Sequence, residues 1–200
     1  MIDWKDYWNR AGDFESHLAC DADKAKRWRR IYDKAELTDA QRDRLATFIR
    51  PIRLLTMSGI WCGDCVAQVP LIQRIAEGRA DLLEHRVIAV EATDDAFKER
   101  FAINGGHRVP VLFVLSEDFY RALAWGDRTL SRYRLLADVK RAMRPGATRE
   151  DYYQQVGRRS LFRRVIRQTT NELLDEIERV QLLFQVSPRL TALAEAAAPA

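Results

Sequence analysis

Apolar positions recur along this chain in two rhythms, every three to four residues and every residue within short runs. Trp4, Tyr7 and Trp8 share one helical face, and Arg10-Ala11-Gly12-Asp13 breaks it. A second helix is predicted over 21–35, carrying Ala25, Trp28, Ile31 and Tyr32 on one side. Thr38 and Gln41 have the spacing of a capping box. The helix that follows would turn Leu45, Phe48 and Ile49 inward and end near Pro51. At 52–57 the pattern becomes a short apolar run rich in strand formers, closed by Ser58-Gly59. A further helix carries Val66, Val69, Leu71, Ile72, Ile75 and Ala76, with Gly78 at its end.

The second half repeats this alternation. A strand is predicted over 86–90, then a helix capped by Thr93 with Phe97 and Phe101 inward, stopped at Asn104-Gly105-Gly106. Strands follow over 111–115 and 119–125, joined through Ser116-Glu117-Asp118. Gly126-Asp127 ends the pair and a helix covers 129–143. Strand, helix, strand implies parallel pairing, and the hairpin adds an antiparallel edge. Arg144-Pro145-Gly146 marks a boundary. Beyond it Phe162, Ile166, Thr169 or Thr170, Leu173, Ile177, Val180 and Phe184 form a long helical stripe, with Gly157 as a break and Pro188 as the stop. Such a stripe serves either packing on the domain or a homodimer. The alanine-rich tail, 194–200, is expected to fray. The reading is an α/β fold with helical extensions. Residues 1–50 form an N-terminal extension packed on the core, 51–145 the central domain and 146–200 a C-terminal extension.

Composition fits a soluble globular chain. Of 200 residues 47% are apolar and 31% charged, and no apolar run approaches the roughly 20 residues a bilayer span needs. The first residues lack the basic-then-apolar pattern of a secretory signal, so a cytoplasmic location and no membrane partner are expected. The net charge of +4 is diffuse, and the arginines at 158, 159, 163, 164 and 167 read as a solvated face. Neither suggests nucleic acid.

Candidate chemistry lies in Trp61-Cys62-Gly63-Asp64-Cys65. Cys62 follows a buried strand, and Cys65 falls in the first turn of a helix. Free backbone N–H groups and the positive dipole end there favour a thiolate. Cys62 would attack a disulfide and Cys65, one turn deeper, would resolve the mixed disulfide. Trp61 would shield the site. Asp64 would oppose the thiolate by an energy of order 1 kcal/mol, under about one pKa unit. His107 and Arg108 precede Val109-Pro110 and border the site or face solvent.

The Cys motif with Gly63 between its cysteines, the Val109-Pro110 pair and Gly126 resemble the thioredoxin superfamily over residues 51–145. Pro110 lies 48 residues after Cys62, a compatible separation. The resemblance implies a thioredoxin-like mixed sheet, a cis Pro110 facing the Cys pair, and a Val109 backbone that pairs with a substrate strand. Gly126 would be the small residue near the groove. It also implies reduction of protein disulfides with no cofactor beyond the Cys62–Cys65 disulfide, and recycling by a reductase such as a thioredoxin reductase. Two departures stand out. Thioredoxin has a proline where Asp64 stands, and a buried aspartate, which helps deprotonate the second cysteine, where Thr56 stands. The pair is therefore expected to be reducing, with Cys62 less acidic than in strong oxidants.

Two alternatives belong to other classes. His17, Cys20, Cys62 and Cys65 make a permitted zinc set. The fold could instead serve as a non-catalytic binding module, since fold does not fix activity.

Overall fold

The computed structural model describes residues 2–187. Four helices come first: α1 (Trp4–Arg10), α2 (Phe14–Ala19), α3 (Ala22–Tyr32) and α4 (Asp39–Ala46). The central part runs β1 (Ile52–Ser58), α5 (Gly63–Glu77), β2 (Leu83–Ala89), α6 (Asp95–Arg100), β3 (Val111–Ser116), β4 (Arg121–Gly126) and α7 (Leu130–Ala142). Then come α8 (Arg149–Ser160) and α9 (Arg163–Val186). Among the described residues no helix is long and apolar enough to cross a membrane.

The strands form a mixed sheet in the order β2-β1-β3-β4. β1 pairs parallel with β2, antiparallel with β3, and β3 pairs antiparallel with β4. Gly12 bridges to Val87 through two backbone hydrogen bonds of 3.1 and 2.7 Å, so the N-terminal segment touches the outer edge of β2.

Alternation along β1 sends its side chains to two layers. On one face Phe113 of β3 meets α1 and α6 in an aromatic cluster of Trp4, Tyr7, Phe97 and Phe101, and Met57 accepts from the Thr93 hydroxyl at 3.8 Å. Tyr7 and Phe97 stack with centroids 4.1 Å apart. On the other face Thr56 and Ser58 lie under α5 and α2, where they meet His85 and His17. The core is continuous from Trp8 and Trp28 through the sheet to Leu173, Leu174 and Ile177 of α9. The stripe of α9 is thus buried within the chain, at Ile166, Thr169, Thr170, Leu173, Ile177, Val180 and Phe184.

Several local expectations change. The helix predicted over 21–35 spans Ala22–Tyr32, and α2 precedes it, capped by Asp13 on Ser16 N–H at 2.7 Å. Ile49 is 64% exposed instead of inward, because α4 ends at Ala46 and the helical phase is lost before it. β2 starts at Leu83, and Val90 lies in a 3-10 turn, Val90–Ala92. Asp94, not Thr93, caps α6, while the Thr93 hydroxyl donates to the Val90 carbonyl at 2.8 Å. β4 begins at Arg121 because Phe119 takes a positive φ in the turn. Gly157 lies within α8. The break falls at Leu161 and Phe162, and Phe162 is exposed as the N-cap position of α9. The Thr38–Gln41 capping box is present, and Gly78 ends α5. Pro188 and the 194–200 tail lie outside the described residues.

Because α9 completes the same core as the sheet, Ile177→Ala should cost about 2–5 kcal/mol. Urea unfolding followed by tryptophan fluorescence and by far-UV circular dichroism should show one transition at a lower midpoint. A separate early transition confined to helix loss would contradict a shared core.

Candidate functional site

The site is built where the central strand gives way to α5. β1 ends at Ser58, and the chain turns so that Cys62 N–H donates to the Gly59 carbonyl at 2.9 Å. Trp28 Nε1 donates to the Ile60 carbonyl at 3.1 Å, so α3 clamps this turn from behind. A Cβ at Gly59 would meet the Trp61 ring at 2.8 Å, which explains why glycine sits there. Cys62 is the N-cap of α5, and its sulfur accepts from Cys65 N–H at 3.5 Å. The Cys62 thiol donates to the Val109 carbonyl at 3.4 Å. The Val109–Pro110 peptide is cis, as the resemblance implies. Gly126 backs this segment, and a Cβ there would lie 2.7 Å from the Pro110 carbonyl oxygen. Trp61 is 55% exposed and donates from Nε1 to Glu91 at 2.7 Å.

The two thiols differ in electrostatics. Cys62 is lowered to about 7, chiefly by its hydrogen bond with Cys65 and then by the Cys65 backbone N–H, against burial and the Asp64 charge. Cys65 is fully buried, and burial pushes it well above the usual thiol range, with Cys62 adding to the rise. The Ser58 hydroxyl and the Gly59 backbone act on Cys65 in the opposite sense.

Asp64 is not an isolated charge. Arg128 donates to it at 2.7 Å and Arg132 at 2.9 Å, and Arg132 also donates to Ser160 of α8 at 2.5 Å. Behind them Asp127 is buried and accepts from Tyr133 at 2.5 Å, Arg128 at 3.0 Å and Arg108 at 3.3 Å. Burial raises the Asp127 carboxyl, but the Tyr133 hydrogen bond and the arginine charges outweigh it and leave it lowered. Gln68 ties the cluster to α5, donating to the Asp127 carbonyl at 2.9 Å and accepting from Thr129 N–H at 2.9 Å. His107 Nε2 meets Glu99 Oε2 at 3.1 Å.

Beneath the pair lie two buried histidines. Thr56 Oγ1 and His85 Nε2 are 3.0 Å apart, and His85 Nδ1 meets Gln73 Oε1 at 2.8 Å. Burial, then the neighbouring His17, pushes His85 down to about 3. His17 Nε2 lies 3.4 Å from Ser58 Oγ, and its ring packs edge-on against Trp28 at 5.2 Å. The zinc arrangement is not assembled. Cys20 is exposed and donates to the His17 carbonyl at 3.0 Å, while the His17 ring points to Ser58. No group of three or more His, Cys, Asp or Glu side chains among the described residues is placed to hold a metal ion.

The structure therefore gathers Trp61, Cys62, Cys65, Val109, Pro110 and Gly126, with Gly63 exposed in the first turn between the cysteines. Thr56 lies beneath them, Asp64 and Arg108 belong to the flanking ionic cluster, and His107 pairs with Glu99. Sequence reasoning missed Ser58, Gln68, Asp127, Arg128 and Arg132, and placed His17 in another role. The Asp127-Arg128 pair directly after Gly126 was the one available signal.

Asp64→Asn should lower the Cys62 pKa, and Arg128→Ala should raise it, each by under about one unit. The pH dependence of Cys62 alkylation measures both, and an unmoved midpoint in both variants would contradict this coupling. His85 gives a second expectation. Its folded pKa lies below the unfolded value, so the unfolded chain binds the extra proton as pH falls from 6.5 toward 3 and stability drops. His85→Gln should remove up to ~1.4 kcal/mol per pH unit from that slope in urea titrations.

A family model described as Thioredoxin matches residues 12–140. No match was found among curated proteins. Two solved structures share the fold. One is the protein of unknown function PA1234 from Pseudomonas aeruginosa, at TM-score 0.61 and 19% identity, covering 86% of this chain and 98% of that one. The other is an HIV epitope scaffold, at TM-score 0.62 and 18% identity with the same coverages. The mixed sheet, the cis proline opposite a helix-capping cysteine and this match together place the chain in the thioredoxin superfamily.

Proposed function

We propose that this protein is a thiol–disulfide oxidoreductase of thioredoxin type that reduces protein disulfides. The observation that carries the reading is the asymmetry of the pair. Cys62 caps α5 with a pKa near 7, half-buried beside the cis proline, and Cys65 is fully buried and held protonated. At neutral pH a large fraction of Cys62 is thiolate, which is the attacking form.

Cys62 attacks a substrate disulfide and forms a mixed disulfide. Cys65 then attacks Cys62 and releases the reduced substrate, leaving a Cys62–Cys65 disulfide. Trp61, Val109, Pro110 and Gly126 form the apolar surface against which a substrate strand lies, with the Val109 backbone as its pairing edge. A reductase, a thioredoxin reductase by analogy with the family, returns the pair to the dithiol in a reducing compartment such as the cytoplasm. No cofactor beyond the cysteine pair is required.

Insulin reduction tests this. Wild type should precipitate the insulin B chain in the presence of dithiothreitol faster than the reductant alone. Cys62→Ser should lose this acceleration, and Cys65→Ser should accumulate a mixed disulfide through Cys62. Equal inactivity of wild type and both variants would point instead to a binding module on the same fold.

A further inference from the structure

Resolution needs a proton acceptor. Cys65 is the most deeply buried thiol of the chain, and it must lose its proton before it can attack. The carboxylate nearest in sequence, Asp64, faces Arg128 and Arg132. Thr56, on the strand beneath, carries no charge, and its hydroxyl is engaged by His85. Ser58, buried at the end of β1 just before the turn into α5, is the side chain whose hydroxyl favours the Cys65 thiolate. Behind Ser58, at 3.4 Å, stands His17 Nε2, on a buried ring fixed edge-on by Trp28.

We propose that His17 accepts the Cys65 proton through the Ser58 hydroxyl during resolution of the mixed disulfide. The inference rests on the reading of Cys65 as the resolving thiol. It assigns to His17 the tautomer with its proton on Nδ1, leaving Nε2 free to accept. The Cys65 proton passes to Ser58 Oγ as the Ser58 proton passes to His17 Nε2. The Cys65 sulfur then bonds to the Cys62 sulfur. The Cys62–substrate S–S bond breaks, and its electron pair leaves with the substrate thiolate, which takes a proton from water. His17 returns its proton to solvent. The substrate disulfide is reduced to two thiols and the cysteine pair is oxidised.

The groups facing His17 suit the task. Burial lowers its pKa, which leaves the ring unprotonated and open to accept at pH 7 but also makes it a weaker base. The Glu91 carboxylate, held by Trp61 Nε1, favours the imidazolium once formed. His85, the other titratable group facing it, is neutral above about 3 and adds no competing charge at pH 7.

Reaction with 5,5′-dithiobis(2-nitrobenzoate) in a Cys20→Ser background separates the steps, because Cys62 attack releases one thiolate and Cys65 resolution a second. In His17→Gln and in Ser58→Ala the first phase should stay within about twofold of wild type, while the second slows by about 100-fold at pH 7 and rises with hydroxide concentration. Ser58→Ala carries the test should His17→Gln fail to fold. A second phase unchanged in rate and pH profile in the folded variants would overturn the relay. A parent protein that releases no second thiolate would instead overturn Cys62–Cys65 exchange, and the relay with it.

Discussion

The hydrogen bond from Cys65 N–H to the Cys62 sulfur holds the site together, because it makes a cysteine the N-cap of α5. A helix leaves its first N–H groups without intrahelical partners, and an N-cap side chain satisfies one of them. Here the satisfying atom is the sulfur proposed to attack, so the cap that starts α5 is also the contact that lowers the Cys62 pKa. Much of the surrounding architecture fixes this junction. β1 enters the core between β2 and β3, Trp28 holds the Ile60 carbonyl, and the cis Val109–Pro110 segment closes over the sulfur. Gly126 lets that segment approach β4 without a clash.

Three layers of charge and polarity then tune the pair. The local layer is the α5 N-terminus. The lateral layer is the Asp64–Arg128–Arg132 cluster, which puts counter-charge beside an acid that would otherwise oppose the thiolate. Ser160 extends it to α8, so a helix outside the sheet helps set the site. The deep layer is polar but uncharged at neutral pH, with Ser58, Thr56, His17 and His85 between β1 and its covering helices. Buried groups of this kind are costly without partners, and the four are bonded in pairs.

What was legible in the sequence was local. The Cys motif, Pro110, Gly126, the Thr38–Gln41 box and the order of strands all follow from spacings of a few residues or from the family pattern. The N-terminal α2 was missed because six residues give too few turns for a periodic signal, although Asp13 is its cap. Ile49 and Thr93 were misplaced because helix phase ends earlier than apolar spacing suggests, and because Asp94 competes for the same cap. The polar partners were hidden for a different reason. His17 and Ser58 are 41 positions apart, Asp64 and Arg128 are 64, and Asp64 and Arg132 are 68. Such pairs exist only once the sheet and helices bring them together. His17 was visible as a residue able to bind metal, but only the fold points its ring at Ser58 and leaves Cys20 facing solvent.

The central claim is that Cys62 and Cys65 form one reversible redox couple in this setting. Equilibrating the protein in buffers of reduced and oxidised dithiothreitol, trapping thiols with acid and an alkylating agent, and mapping the linked peptides measures it directly. The account predicts a single two-electron transition in which Cys62 and Cys65 become linked and Cys20 stays alkylated throughout. A pair that stays reduced at every ratio, or one that links only through Cys20, would contradict it.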